Sequence, residues 1–313
     1  FSPDYKKLYI ADNSDALASG TTKDVSSNVL TDATVNFTTL GVSVMDHAVK
    51  LTDSAGKVTT WAITTVGTTT LTLTAHPVDG NAPNGNYTYS VERCIKVHDP
   101  SDVTYGLYPL AATKGYVELG CPLMCVYNNR LVVGGPPSAP HAYFASRNGD
   151  PTDWDYGVLA TDAGRAWAAT NTDNGAIGKN LTALIPWSAN YLLVSAESEL
   201  WVLQGDITYG GQVRNISRSV GVLGPNAWAW TPDGWMVFLS QQGVYGLAPG
   251  GMGAGDTSTS QSQVVLLSKE IPIELRNFNS AMMMAILGWD SDAEGIHVFV
   301  TYKEAGRLGL HWF

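Results

Sequence analysis

The sequence predicts an all-β fold, a β-propeller with a small inserted β-barrel, on three observations. Apolar runs of strand length recur in pairs along the chain. The segments between them are rich in Gly, Pro, Asn and Asp, the residues that build turns. Helical periodicity with caps at both ends is nearly missing. Residues 127–156, YNNRLVVGGPPSAPHAYFASRNGDPTDWDY, form the fullest unit, and its strands, turns and terminal Trp recur in altered form downstream.

Residues 1–17 contain a first propeller strand around Lys7-Leu8-Tyr9-Ile10, matched by a second around Ile95-Lys96-Val97-His98. Between them the composition shifts, and residues 18–90 become rich in Thr, Val and Asn and poor in Arg. Strands are expected there at residues 47–52, 58–66 and 71–73. Alternation in Val58-Thr59-Thr60-Trp61-Ala62-Ile63-Thr64 puts Trp61 and Ile63 on one face, as in a half-buried sheet. The segment therefore reads as a small barrel inserted in a propeller loop, a place where insertions are tolerated.

Residues 91–313 read as the rest of the propeller. Four strand pairs are expected: 130–133 with 141–146; 191–194 with 199–204; 235–240 with 244–247 across the turn Gln241-Gln242-Gly243; and 297–302 with 308–313. Repeats of roughly 40–50 residues favour a propeller over a sandwich. Two short helix candidates stand at residues 162–169 and 281–287. Residues 248–263, APGGMGAGDTSTSQSQ, read as a Gly/Ser/Thr-rich loop or mobile arm. The chain opens on Phe1 and stops at Phe313 inside a strand pattern, so it reads as a segment of a longer or processed protein.

With 28 acidic against 18 basic residues the net charge is −10, which opposes a phosphate-binding surface. No apolar run has the length of a membrane-spanning helix. Cys94, Cys121 and Cys125 make no even disulfide framework, and the CPLMC spacing lacks the partners of a zinc site, so buried free thiols are expected. His47, His76, His98, His141, His297 and His311 are scattered without a ligand spacing. No catalytic, cofactor-binding or metal residue is assigned, and no cofactor is expected.

The order of motifs resembles the β-propeller nozzle or tail-tube proteins of tailed bacteriophages. The resemblance runs from Lys96 to Leu247. It rests on Ser146, Arg147, Gly149, Asp150 and Trp154, then on Pro186, Trp187, Leu192, Trp201 and Gly205, and last on Gly221, Pro225, Leu239, Gly243 and Tyr245. It implies a structural virion protein of the phage tail, assembled with itself in a cyclic ring and seated against adjacent tail proteins such as an adaptor, tail fibre or needle. DNA would pass through the lumen of that ring during ejection without specific binding, as an acidic wall allows.

A secreted carbohydrate-binding or glycoside-hydrolase propeller is the alternative. It draws on Asp150, Asp153 and Asp155 beside Trp154, because paired carboxylates next to an aromatic platform suit glycosidic acid/base work. The same residues read more simply as a turn, with Asp side chains accepting backbone N–H groups and Trp154 packed inward.

Overall fold

The computed structural model describes residues 7–11, 16–74, 83–99, 105–107, 114–172, 175–249, 264–269 and 283–302. The chain is all-β and divides into two compact units. One holds residues 1–176 with 207–209, and the other residues 177–206 with 210–313.

In the first unit β1 (Leu8–Ile10) pairs antiparallel with β8 (Lys96–His98), Leu8 facing His98 and Ile10 facing Lys96, and β9 (Tyr105–Leu107) completes the sheet. The strands on either side of the barrel are thus neighbours, so the barrel is an insertion in a propeller sheet. It comprises β2 (Ala18–Ser26), β3 (Val29–Thr31), β4 (His47–Thr52), β5 (Val58–Val66), β6 (Thr70–Leu73) and β7 (Gly85–Arg93). The strand order is β2-β3-β6-β5-β4-β7, closed by pairing of β2 with β7. The closing strand runs on to Arg93, past the limit at residue 90 read from the sequence, because Val91, Glu92 and Arg93 pair with β4.

Alternate residues of these strands fill the barrel. Leu30, Phe37, Val49, Leu51 and Leu71 are fully buried, each contributing about 1.5–3 kcal/mol relative to exposure. Phe37 meets Tyr89 edge-on at 6.2 Å. Asp32, 1% exposed, is also inside. It accepts hydrogen bonds from Lys23 Nζ (2.8 Å), Thr34 N (3.0 Å), Thr34 Oγ1 (2.6 Å) and Tyr89 Oη (2.9 Å). Burial by itself would raise the Asp32 pKa, but these donors outweigh it and hold the carboxyl well below its usual range.

One expectation for the barrel needs correction. Trp61 and Ile63 do point into its core, but β5 is buried on its other face too. Ala62 packs with Ala48, Val117 and Leu119 in the neighbouring core, and Thr60 Oγ1 donates to Val117 O at 3.3 Å. Small side chains on that face let the adjoining segment lie flat against it.

The remainder of the first unit is a blade: β11 (Leu123–Tyr127), β12 (Arg130–Gly134), β13 (Tyr143–Ala145) and β15 (Trp167–Ala169), antiparallel in that order. Two short strands, β10 (Lys114–Gly115) and β14 (Asp153–Trp154), pair in parallel beside it. Asn128 and Asn129 join β11 to β12 with φ of 48° and 59°. Positive φ at both central positions is what a two-residue hairpin turn demands, and Asn tolerates it.

The second unit contains two more four-stranded meanders and a hairpin. They are β16 (Leu181–Ser188), β17 (Tyr191–Ala196), β18 (Leu200–Gln204) and β19 (Gln212–Ser217), followed by β20 (Trp228–Trp230), β21 (Met236–Ser240), β22 (Gly243–Leu247) and β23 (Val264–Leu266). The hairpin is β24 (Met283–Asp290) with β25 (Gly295–Tyr302). A single apolar core runs through both meanders and the hairpin. Ser195 Oγ ties the meanders by accepting Val222 N at 2.7 Å. At Gly221 an added Cβ would stand 1.8 Å from Ala196 O, so only glycine fits there.

Both helix candidates are wrong. Residues 162–169 turn at Asp162 and enter β15, and residues 283–287 open β24. The Met, Ala and Leu there favour helix, but Met284 and Ile286 lie exposed while Ala285 and Leu287 are buried, the period of a strand paired to β25. The described partner of β25 is therefore upstream, while residues 308–313 lie outside the described residues. The Gln-Gln-Gly turn is one residue shorter than expected, since Gly243 already pairs with Ser240. Most of residues 248–263 also lie outside the described residues.

Candidate functional site

The first blade carries the densest set of polar interactions. Arg130 opens β12 and is fully buried. Its neighbour Leu131 points to the other face of the strand. Arg130 Nη1 donates to Ser146 O (2.7 Å), Arg165 O (2.7 Å) and Gly164 O (3.2 Å), and Nη2 to Ala163 O and Thr208 Oγ1, both at 3.3 Å. Thr208 Oγ1 in turn donates to Ala163 O. One guanidinium thus gathers the end of β13, the loop before β15 and the short 3-10 turn Ile207–Tyr209. The fork of rigid donors is what suits arginine to a cluster of carbonyls.

Residues 146–165 sit around this socket. Ser146 Oγ accepts Leu131 N at 3.0 Å. Arg147 bridges to Asp162 at 2.7 Å. This bond raises the Arg147 pKa and holds the Asp162 carboxyl below its ordinary range. Asp150 Oδ1 accepts Thr152 N (2.9 Å) and Thr152 Oγ1 (2.7 Å); Asp153 Oδ1 accepts Asp155 N (3.1 Å); Asp155 Oδ1 accepts Gly157 N (2.9 Å). These are successive Asx turns. Trp154 is 1% exposed, with Nε1 donating to Pro151 O at 3.0 Å. The three carboxylates that could have formed an acid/base set each hold a backbone N–H two residues on.

The other residues of interest are dispersed. His47 Nδ1 accepts Ser43 N (3.2 Å), His141 Nε2 lies 3.0 Å from Thr170 O, and His297 Nε2 lies 2.7 Å from Asp290 Oδ2. His76 and His311 lie outside the described residues. Among the described residues no group of His, Cys, Asp and Glu is arranged to hold a metal ion. The three cysteines are free thiols; burial raises Cys121 and pushes Cys125 up to about 12, which makes both poor nucleophiles at neutral pH.

In the second unit Trp187 and Trp230 meet edge-to-face at 4.7 Å, and Trp228 stands 6.3 Å from Trp230. All three are partly exposed. Lys179 pairs with Glu199 at 2.8 Å, and Glu199 also accepts Trp201 Nε1 at 2.9 Å.

Sequence reasoning missed the Arg130 socket. An arginine at the start of the apolar run RLVVGG was its only local signal.

The fold defines an all-β protein, a β-propeller of four-stranded blades carrying an inserted barrel. No family model matches the chain, and no curated protein matches it. Among solved structures it is similar to Hsv2 of Kluyveromyces lactis, at 11% identity and a TM-score of 0.38, covering 82% of this chain and 74% of that one. It is similar to a protein of unknown function from Bacteroides thetaiotaomicron, at 10% identity and a TM-score of 0.33, covering 97% and 73%. It is also similar to the extracellular domain of a putative hybrid two-component system from the same organism, at 13% identity and a TM-score of 0.39, covering 87% of this chain and 34% of that one. Similarities at this level carry no functional argument.

Proposed function

We propose that the chain is a structural subunit of a phage tail, a nozzle or tail-tube ring that forms part of the DNA ejection channel. The observation that carries the reading is the work done by the residues on which the family resemblance rests. Ser146 and Arg147 fix the loop of the first blade, Trp154 is buried beside it, and Gly149 adopts a φ of 75°. In the next blade Leu192 is core and Gly205 adopts a φ of 75°. In the third, Pro225 O accepts Trp228 Nε1, Leu239 is core, and Tyr245 stacks on Phe238 at 5.9 Å. The motif order is thus the order of three blades, and its residues shape a framework.

Sheet edges support assembly. Leu8 and Ile10 are exposed on β1, and Val265 is exposed on β23, each an edge strand of its sheet. Exposed apolar edge strands are association sites, and closed cyclic symmetry repeats a weak contact around a ring. The test is electron microscopy and mass photometry of the chain together with phage tails or their purified adaptor. Discrete rings on the tail are expected; a chain that stays monomeric and never joins tails refutes the reading.

Neutral-carbohydrate binding is a second reading, favoured by the Trp187, Trp228 and Trp230 cluster, since aromatic faces stack on sugar rings. Tryptophan emission that responds saturably to maltohexaose would support it.

A further inference from the structure

We propose that His47 is a proton-operated latch: its neutral imidazole holds the turn of residues 43–47 closed, and acid releases that turn together with the contacts that fasten this corner of the barrel to β8. The latch acts within one chain and needs no ring.

His47 opens β4 and is 7% exposed. Its Nδ1 accepts Ser43 N at 3.2 Å, and its own backbone N donates to Ser43 O at 3.0 Å. A ring nitrogen that accepts an N–H carries no proton, so His47 is neutral with its hydrogen on Nε2. An imidazolium carries hydrogen on both nitrogens. Protonation therefore turns Nδ1 from acceptor into donor, and Ser43 N loses its partner inside the turn. Ser43 O already accepts His47 N and Asp46 N (3.4 Å), so it offers the new hydrogen only a crowded alternative.

The neighbouring residue carries the connection outward. The Asp46 carboxylate binds Lys96 Nζ, and Asp46 O accepts Cys94 N at 3.1 Å. Lys96 is the first residue of β8, and Cys94 follows Arg93, the last residue of β7, which stands opposite His47 in register. The turn therefore sits where the chain leaves the barrel and re-enters the propeller sheet. Lys50 with Glu118, and Thr60 Oγ1 with Val117 O at 3.3 Å, anchor the barrel elsewhere and do not involve His47. Acid thus loosens one corner of the junction and leaves the barrel attached.

The surroundings set the sign of the response. Burial weighs most against a charged His47, and Arg93 and Lys96 add to it; the Ser43 backbone and the Asp46 carboxylate favour the proton but do not overcome this. The imidazole is held below its ordinary value of 6.5. With the folded value below the unfolded one, the closed turn is fully stabilised above that ordinary value, and the stabilisation is lost as pH falls from it toward the folded value.

Hydrogen exchange of the whole chain at about pH 7.5 and about pH 5.5, corrected for intrinsic chemical rates, reads the latch. Opening of residues 42–48 is expected to rise roughly five- to tenfold at the lower pH, as the imidazole of the open turn takes up its proton. The Cys94 amide should follow, while β5 and β21 stay unchanged. His47→Asn places a carboxamide oxygen that does not titrate near the position of Nδ1, and it should make exchange of residues 42–48 independent of pH over this range. Should that variant fail to fold, imidazole nitrogen shifts of the wild type decide: a hydrogen on Nε2 and a midpoint below 6.5 are expected, and a hydrogen on Nδ1 or a midpoint above 6.5 overturns the latch. Equal exchange of the wild type at the two pH values, the same pH response in His47→Asn, or opening of residues 42–48 that leaves the Cys94 amide as protected as before would each overturn it too.

Discussion

Replacing Arg130 by Met removes one guanidinium and keeps most of the volume of its stem. In the wild type that group supplies hydrogen bonds to Ser146 O and Arg165 O at 2.7 Å and longer ones to Gly164 O, Ala163 O and Thr208 Oγ1. A buried polar group that loses its partner costs about 1–3 kcal/mol. The two short bonds alone therefore predict about 2–6 kcal/mol. Part of this is offset because a charge no longer has to be desolvated. About 3 kcal/mol is the expected net loss, with Arg130→Lys intermediate because an ammonium reaches fewer of the carbonyls. Urea unfolding measures the loss, and hydrogen exchange of peptides from residues 159–166 measures the loop, whose protection should fall more than that of β21. If Arg130→Met unfolds within 0.5 kcal/mol of the wild type and the loop exchanges as before, the arginine does not brace it.

Two further outcomes are expected. Asp32 has a folded-state pKa depressed below its unfolded value near 3.9, so its contribution is fully present above that value and is lost as pH falls toward the folded pKa. Asp32→Asn should therefore lower stability at pH 7 by about 2–4 kcal/mol, on the scale of a broken buried pair, and flatten the acid limb of a urea-midpoint against pH curve; parallel curves for the two proteins would refute this. The formal charge of −10 predicts no mobility shift of duplex DNA even at low ionic strength, where counterion release would make phosphate contacts strongest. A shift that fades steeply with added salt would reveal a basic surface.

Three of the four expected strand pairs were legible because their signals are local. Strand periodicity and the Asp-rich turn of residues 150–155 act within a few residues of themselves, and the structure pairs β12 with β13 and closes the Asp turns accordingly. The inserted barrel was legible from a composition shift flanked by two strands of similar character. The site was legible only in part. The Asp turn could be read as a turn, whereas the five partners of Arg130 lie between 16 and 78 residues away and are mostly backbone carbonyls, which every residue possesses.

The sequence by itself determined the all-β class, three of the four expected strand pairs and the turn chemistry, because these follow from the steric preferences of short segments. Tertiary structure decided the rest. Residues 283–290 are a strand because β25 supplies the ladder their own propensity does not favour. The second face of β5 is buried because a distant segment covers it. Arg130 is a brace because folding brings separate carbonyls within reach of one guanidinium, and such long-range convergence leaves no periodic trace in the chain.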